Sequence, residues 1–377
     1  MSLIAIVESV IVKDKKWLKQ EDIIDGVSLG SILPGPMAVN VITYIGYKIN
    51  GVKGAIAAFF GVIIPSFIMI LVLCDLYLKY NETQLVKSVF QGIMLAVSAI
   101  IFQVTWRMSK KTLKNWQGYL LAFIGFLLLI LVPKTLQLYA TFGIIIVYGL
   151  IGYFTSKSTV KQENIEKQSL NLKKIILPFS ALMLLLVLSL LPIPFRIGSL
   201  EHLFIKFGGL GLMLFGGGYV FIPMIQELVV TQYQWMTQQT FIDAIALGQI
   251  TPGPIVITIA FVGYKVNGIL GAIVATLAIF GAPATLMVLA SELLDYFKQS
   301  ERIQQTMKTI RAGVIGMIFY AGIIVLQSAF QEIDTLEPIF IAKILSLFAI
   351  CLIALIRFNL NILWVIPLSG FMGYLLF

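Results

Sequence analysis

The sequence is poor in the residues that build polar active sites. Its 377 residues include one histidine and two cysteines, and only 12% are charged. A lone histidine, His202, leaves histidine-based metal sites and Ser-His-Asp triads without their parts. Cys74 and Cys351 both lie in apolar runs, so no disulfide framework is implied. The ATP-binding G-x-x-x-x-G-K-[ST] loop is also missing. These absences argue against an enzyme, a metal centre or another cofactor.

What the chain has in excess is apolar sequence. It is 59% hydrophobic with a mean hydropathy of +0.96, more apolar surface than a soluble domain can bury. Apolar runs close to the twenty residues that cross a bilayer recur along its length, and no secretory signal pattern precedes them. The sequence therefore predicts an all-α integral membrane protein with many passes. The predicted segments are Ile4–Val12, Ile24–Ile45 (broken), Val52–Leu78, Leu85–Trp106, Tyr119–Val132, Leu136–Phe154, Ile175–Ile193, His202–Val229, Phe241–Val262, Ile269–Leu294, Thr306–Phe330, Pro338–Ile356 and Ile362–Leu376.

The net charge of +9 does not indicate nucleic-acid binding, because the basic residues gather in short loops. The main clusters lie at Lys13–Lys19, Arg107–Lys114 and Lys157–Lys174. This distribution is typical of loops on the cytoplasmic side of a membrane.

One block of sequence occurs twice. Eight of the thirteen positions in Ile24–Pro36 are identical in Ile242–Pro254, and a second block, starting at Gly46 and at Gly263, matches at nine of thirteen. Duplicated bundles with breaks at matching places are how many transporters build a binding site. We predict an N-terminal repeat at 1–154, a polar linker plus an extra helix at 155–198, and a C-terminal repeat at 199–377.

The number of crossings predicts how the repeats are oriented. From one broken segment to the other the chain crosses the membrane an odd number of times, which makes the copies an inverted-topology repeat. If Ile24–Ile45 dips into the membrane and returns, the clusters Lys13–Lys19 and Arg107–Lys114 share one side. This gives the cleaner positive-inside pattern, so we favour re-entrant over fully spanning segments.

Each repeat breaks at a Pro-Gly-Pro. The first is Pro34, Gly35 and Pro36, and the second is Pro252, Gly253 and Pro254. A proline suits the first position of a helix and the glycine lets the chain turn, so helices are expected to begin at Met37 and Ile255. Their free N–H groups and positive dipole ends are ready anion sites, and two brought together suit an oxyanion. The alternative is a pair of proline kinks that only shape packing.

Polar residues beside the breaks have two readings each. Asn40 and Gln249, with Ser31, Thr251 and Thr258, either hydrogen-bond a ligand or satisfy backbone groups that proline leaves unpaired. The matched acids Asp25 and Asp243 are either proton or counter-ion sites, or they cap a helix or pair with a lysine, and the structural role is slightly favoured.

Three basic residues are further candidates. Lys48 and Lys265 end the broken helices and either attract an anion or extend to the membrane interface. Arg311 lies inside an apolar helix, where a charge is costly and usually functional.

A glycine-rich stretch precedes the second break. Close helix packing explains Gly208, Gly209 and Gly211. Gly216, Gly217 and Gly218, followed by Tyr219, are expected to form an unwound segment facing the site.

The combined pattern resembles the chromate ion transporters. The resemblance rests on FGGGY at Phe215–Tyr219, both Pro-Gly-Pro turns and the GYK-x-x-G-x-x-GA blocks from Gly46 and Gly263, with IIPSF at Ile63–Phe67, Trp17 and Trp235. It implies an inner-membrane protein that exports chromate, with sulfate as a competitor and with two halves in opposite orientations. The first copy lacks an FGGGY element, so its first element is expected to be truncated.

Other classes stay open. Among transporters, the runner-up is a proton- or sodium-coupled carrier of another small anion such as sulfate, and an anion channel is a further alternative. A membrane-embedded enzyme is disfavoured because there is no clustered metal set. The expected partners are chromate or sulfate and the lipid bilayer, not nucleic acid, and the oligomeric state, a homo-oligomer included, stays open.

Overall fold

The structure, a computed structural model, describes residues 4, 7–80, 83–133, 136–156, 172–191, 195–215, 221–292, 300–331 and 338–377. Within these ranges every regular element is a helix. The α-helices are α1 (Gln20–Ile32), α2 (Met37–Tyr80), α3 (Gln84–Thr112), α4 (Trp116–Leu131), α5 (Gln137–Thr155), α6 (Leu172–Leu190), α7 (Leu200–Gly211), α8 (Phe221–Gln226), α9 (Gln238–Ile250), α10 (Thr258–Ser291), α11 (Glu301–Gln331), α12 (Pro338–Ile356) and α13 (Ile362–Leu376).

Five of the described helical segments are long and apolar enough to cross a membrane. They are Met37–Tyr80, Gln84–Thr112, Ile255–Ser291, Glu301–Phe330 and Pro338–Ile356. On α2, every fourth residue from Val52 to Leu76 is apolar and exposed, with exposed fractions of 40–63%. A continuous apolar face turned outward is what lipid contact requires. The predicted all-α, multi-pass membrane architecture is therefore supported.

The predicted apolar segment His202–Val229 is not one continuous helix. Helix α7 ends at Gly211, where the Leu212 N–H is shared among three preceding carbonyls. The chain is helical again from Phe221, and a π-helix, Glu227–Gln232, follows directly. Glycine is a weak helix former, so the glycine-rich sequence explains why the helix ends there. The predicted unwound residues Gly216, Gly217, Gly218 and Tyr219 lie outside the described residues.

The chain divides into two compact units, and the first comprises Met1–Phe67, Val147–Gly218 and Gly263–Ile310. One of its buried clusters joins α1, α2 and α10 through Leu29, Tyr44 and Met287. In this unit α6 packs against α7, where Lys206 donates hydrogen bonds to the carbonyls of Ser189 (2.7 Å) and Leu191 (3.0 Å). A buried lysine thus satisfies carbonyls at the end of α6.

The second unit comprises Ile68–Ile146, Tyr219–Val262 and Arg311–Phe377. Here α3 packs against α9, α12 and α13. Gly92 of α3 and Gly373 of α13 lie so close that a Cβ atom on Gly92 would be 2.7 Å from the Gly373 Cα. Small residues let helix backbones approach in this way, and membrane proteins use such contacts widely.

Both sequence copies begin with the same unusual turn. The π-helices Ser9–Asp14 and Glu227–Gln232 occupy matching positions, and each is followed by a residue with positive φ, Lys16 (53°) and Gln234 (51°). Matching backbone bonds close the turn, 2.9 Å from the Trp17 N–H to the Ile11 oxygen and 2.8 Å from the Trp235 N–H to the Val229 oxygen. These two matching segments thus share the same backbone turn.

A sharp reversal divides α2 into two arms, residues 37–49 and 52–80. Asn50 (φ −146°, ψ 38°) and Gly51 (φ 54°, ψ −145°) leave the helical region. Gly46 and Gly54, on opposite sides of the reversal, are in backbone contact, so the arms run antiparallel. Helix α10 repeats the geometry at Asn267 (φ −147°, ψ 38°) and Gly268 (φ 58°, ψ −153°), with Gly263 against Gly271.

Candidate functional site

The first Pro-Gly-Pro turn is buried and belongs to the first unit. Gly35 has a φ of +107°, and its N–H donates a 2.7 Å hydrogen bond to the carbonyl of Leu214. A Cβ atom at Gly35 would overlap the side chain of Pro283. The Nδ2 of Asn40 donates a 2.8 Å hydrogen bond back to the carbonyl of Pro34. Segments distant in sequence therefore fix the conformation of this turn.

The helices on either side of this turn lie against each other. A Cβ atom on Gly26 of α1 would be 2.6 Å from the Tyr44 ring, and one on Gly30 would be 2.9 Å from Val41. The pair Gly26 and Tyr44 lies farther from the turn along both segments than the pair Gly30 and Val41 does. Helix α1 and the arm 37–49 therefore run antiparallel. The turn is the tip of a helical hairpin.

The second turn belongs to the other unit and has a different environment. Pro252 is exposed and Gly253 half-buried. Gly248 lies against Thr258, its partner across the turn, so here too the chain folds back on itself. The Thr251 and Thr258 hydroxyls bond to the carbonyls of Gly248 (2.7 Å) and Ile255 (2.8 Å).

Details of the predicted helix starts are corrected. Met37 begins a helix directly, but Ile255 begins a 3₁₀ turn, Ile255–Ile257, and the α-helix starts at Thr258. Pro254 precedes the helix with an extended ψ of 146° instead of occupying its first position. Gly253 is not among the described glycines with positive φ, so the two Pro-Gly-Pro sequences turn differently.

Most hydroxyls beside the breaks bond to nearby backbone. Ser31 donates to the Ser28 carbonyl (2.7 Å), as Thr251 and Thr258 do to theirs. This is the backbone-satisfying role that the sequence left open for them. The Nε2 of Gln249, by contrast, is buried without a hydrogen-bond partner among the described residues. Gln249 therefore stays a candidate ligand.

Lys48 and Lys265 lie where the sequence placed them, two residues before the reversals at Asn50 and Asn267. Both lysines are exposed. The Lys48 ammonium lies 5.7 Å from the centre of the Tyr44 ring, within reach of a cation–π interaction. Such exposed cations attract ions at long range more than they hold them.

The matched acids Asp25 and Asp243 have different environments. Asp25 is half-buried, whereas Asp243 is only 4% exposed. Asp243 accepts hydrogen bonds from the Tyr77 hydroxyl (2.6 Å) and from the Nε2 of Gln239 (3.0 Å). Asp243 thus combines burial with two strong donors, whereas Asp25 is less buried.

Arg311 is half-buried in the spanning helix α11. Arg311 has no hydrogen-bond or carboxylate partner among the described residues. A guanidinium in apolar surroundings needs compensation, which an anion provides.

The glycines of α7 have the predicted packing role. Gly208 and Gly209 face α6, where added Cβ atoms would meet Leu185 at 2.8 Å and overlap Ser189, and Gly211 contacts the backbone of Ile279. These contacts confirm close helix packing for this part of the glycine-rich stretch.

Sequence reasoning missed several residues of the site. Pro283 and Leu214 shape the first turn, and Tyr77 holds Asp243. Their partners are far away in sequence, so no local pattern indicates them. The repeat itself gives one signal, since the second copy has Pro283 in GAPAT where the first has PSF.

The described residues contain no group of three or more His, Cys, Asp or Glu side chains suited to a metal. Apolar spanning helices, together with helical hairpins that turn at Pro-Gly-Pro sequences, are typical of multi-pass helical membrane proteins of the transporter class. The chain belongs to the chromate transporter family, which it matches over residues 1–153 and 201–374.

Similar proteins span most of the chain. An uncharacterized transporter of Methanocaldococcus jannaschii is 30% identical over 99% of this chain and 89% of its own length. A chromate transport protein of Cupriavidus metallidurans is 28% identical over 86% of this chain and 78% of its own. A chromate transport protein of Pseudomonas aeruginosa is 25% identical over 97% and 86%, respectively. No solved structure matches.

Proposed function

We propose that the protein exports chromate across the inner (plasma) membrane of the cell. The observation that carries this proposal is the buried Pro-Gly-Pro turn in front of Met37, where a helix begins inside an apolar protein. The first N–H groups of a helix have no partner within it and point toward its positive end, which suits an oxyanion. Relatives named chromate transport proteins indicate which oxyanion.

The membrane potential supplies the driving force. Moving one charge across 100 mV changes the free energy by about 2.3 kcal/mol, so chromate leaving a negative interior as the dianion would gain roughly 4.6 kcal/mol. This corresponds to a gradient on the order of a thousandfold without any coupled ion. Export therefore needs no ATP.

We further propose that both Pro-Gly-Pro hairpins are re-entrant and that the repeats are inverted. Helix α1 and the arm 37–49 are each about 20 Å long at 1.5 Å per residue, too short to cross a hydrocarbon core of about 30 Å. Their antiparallel packing returns the chain to the side from which it entered. This supports placing Lys13–Lys19 and Arg107–Lys114 together on the cytoplasmic side.

The proposed ligand groups differ in depth. In the first unit, the proposed direct ligands of an anion are the backbone N–H groups after Pro36 and the amide of Asn40. In the second unit, they are the backbone N–H groups after Pro254, the amide of Gln249 and the guanidinium of Arg311. Lys48 and Lys265, both exposed, attract it. The joint use of both turns for one anion, and the part of Gly216, Gly217 and Gly218, stay predictions.

A coupled carrier of sulfate or a similar anion is the second candidate, and Asp243 favours it. Ionisable side chains buried inside membrane proteins commonly mark proton or counter-cation pathways, and Asp243 is such a buried carboxyl. Accumulating a dianion against the potential would require such coupling.

Uptake of labelled chromate into everted membrane vesicles tests the proposal. Export in the cell becomes uptake there, and we expect an inside-positive potential to drive it, with sulfate and molybdate as competitors. Matched vesicles without the protein are the control. Labelled sulfate uptake that needs an imposed proton or sodium gradient, without chromate uptake, would favour the second candidate. Unitary currents in a planar bilayer would identify a channel instead.

A further inference from the structure

Two buried oxygen atoms in the first hairpin lack hydrogen-bond partners. They are the Oδ1 of Asn40 and the Oγ1 of Thr43, in residues that are 0% and 3% exposed. Neither has a partner among the described residues. The residues are three apart in the arm 37–49, so their side chains lie on the same face. A buried polar atom without a partner costs roughly 1–3 kcal/mol, and a ligand can supply the missing bond.

The role of the Asn40 amide is fixed by its other end. Its Nδ2 donates a 2.8 Å hydrogen bond to the Pro34 carbonyl. Turning the amide over would place two acceptors against each other, so Oδ1 must be the unpaired atom. An acceptor in this position needs a donor from the ligand.

Hydrogen-bond donors lie one turn away. The first backbone bond of the arm runs from the Asn40 N–H to the Pro36 carbonyl (3.1 Å). The N–H groups of Met37, Ala38 and Val39 precede it and have no acceptor within the helix. The same small region thus offers donors at the start of the helix and acceptors on its face.

We propose that the first hairpin binds its oxyanion in the singly protonated form, as a hydroxyl-bearing monoanion such as hydrogen chromate. Its hydroxyl donates to Asn40 Oδ1, the Thr43 hydroxyl pairs with a neighbouring oxygen, and its charged oxygens accept from the helix N–H groups. This inference rests on the proposed function and specifies the ligand of the same site. Chromate takes up a proton near neutral pH, whereas sulfate does so only in strong acid.

A sodium ion is the competing occupant, since Asn and Thr oxygens also bind hard cations. The helix dipole argues against it, because the arm begins with its positive end at Met37. Cations are expected at the carbonyl end of a broken helix instead.

The proposal fixes how much charge moves with each anion. A monoanion at 100 mV reaches a gradient of about fiftyfold, against roughly two-thousandfold for a dianion. The charge moved per chromate can be measured with full-length protein in liposomes, where potassium gradients and valinomycin set the voltage. The concentration ratio of labelled chromate across the membrane at steady state then distinguishes one charge from two. We expect one charge per chromate and weak competition by sulfate, at least tenfold below that of unlabelled chromate.

Variants at Thr43 test whether chromate transport depends on this site. Thr43→Val keeps the shape and removes an unpaired hydroxyl, so we expect an unchanged or higher melting temperature and about a tenfold loss of chromate transport. Thr43→Ser should retain transport. Thr105→Val is the matched control, since the buried Thr105 hydroxyl bonds to the Ile101 carbonyl (2.8 Å), and its transport should not change.

Two charges per chromate, normal transport by Thr43→Val, or a sodium requirement weakened by that variant would each overturn the inference. The proposed function would survive these results. If the unaltered protein moves no chromate in either direction, the proposed function itself fails.

Discussion

The hydroxyl of Tyr77 donates a 2.6 Å hydrogen bond to the Oδ2 of Asp243, a residue 166 positions further along the chain. The bond joins the first sequence copy to the second within one compact unit. The Tyr77 ring also contacts Phe90 and Phe261 edge-on, with ring centres 5.3 and 5.6 Å apart. A carboxyl beside the second Pro-Gly-Pro turn is thus held by the long helix α2, which follows the first turn.

Removing this hydroxyl should destabilise the protein. For Tyr77→Phe we expect the free energy of unfolding to fall by about 1.5–3 kcal/mol, because a buried acid loses a strong donor. Thermal unfolding of purified protein in detergent measures this. Tyr47→Phe is the matched control, since the Tyr47 hydroxyl bonds to Glu292 at the same 2.6 Å but in exposed surroundings, where such bonds contribute less. Equal melting temperatures for both variants would contradict the prediction.

The first Pro-Gly-Pro turn should depend on glycine more than the second. Gly35→Ala puts a side chain on a residue with positive φ, which costs about 1–3 kcal/mol. The added methyl group would also overlap Pro283. Gly253→Ala should lower the melting temperature less. Gly51→Ala separates backbone strain from steric overlap, because Gly51 also has positive φ but open space around it.

The order Gly35, then Gly51, then Gly253 in loss of melting temperature is the expected result. Gly253→Val is the better test of anion binding by backbone N–H groups, because a substitution at Gly253 is expected to destabilise the fold less than one at Gly35. If that variant folds and transports chromate normally, the second turn does not bind the anion.

Substitutions at Lys48 and at Arg311 should reduce chromate transport with a different dependence on salt concentration. For Lys48→Gln we expect a several-fold weaker apparent affinity that disappears above about 0.5 M salt, because exposed charges are screened. Arg311→Gln should reduce transport more than tenfold at every salt concentration, since a half-buried charge is screened little. Chromate transport at increasing ionic strength distinguishes the two. Arg311→Lys, which keeps the charge, should retain part of the activity.

Topology gives a further prediction. Lys15 and Lys110, both exposed, should lie on the cytoplasmic side, as should Lys161, which is outside the described residues. Single cysteines at positions 15 and 110 should therefore resist an impermeant thiol reagent in intact cells and react after permeabilisation. The natural Cys74 and Cys351 are buried, so background labelling should be low. Labelling from outside at position 15 but not at 110 would rule out a re-entrant first hairpin.

The sequence by itself determined the class of protein, the duplication and the places where the chain breaks. Bilayer-length apolar runs require a membrane, because no soluble fold buries them. The breaks at Pro36 and Gly51 depend on proline and glycine, whose effects on the backbone are local. For the same reason the reversal at Gly268 follows from its own sequence block, which matches that around Gly51.

Tertiary structure alone decided the surroundings of these breaks. Gly35 meets Pro283 and Leu214, and Asp243 meets Tyr77, through contacts that no local pattern encodes. Identical motifs also received different environments, since Asp243 is buried while Asp25 is only half-buried. Burial depends on which distant helices pack against a segment. The two copies can therefore share a sequence signature and still differ in chemistry.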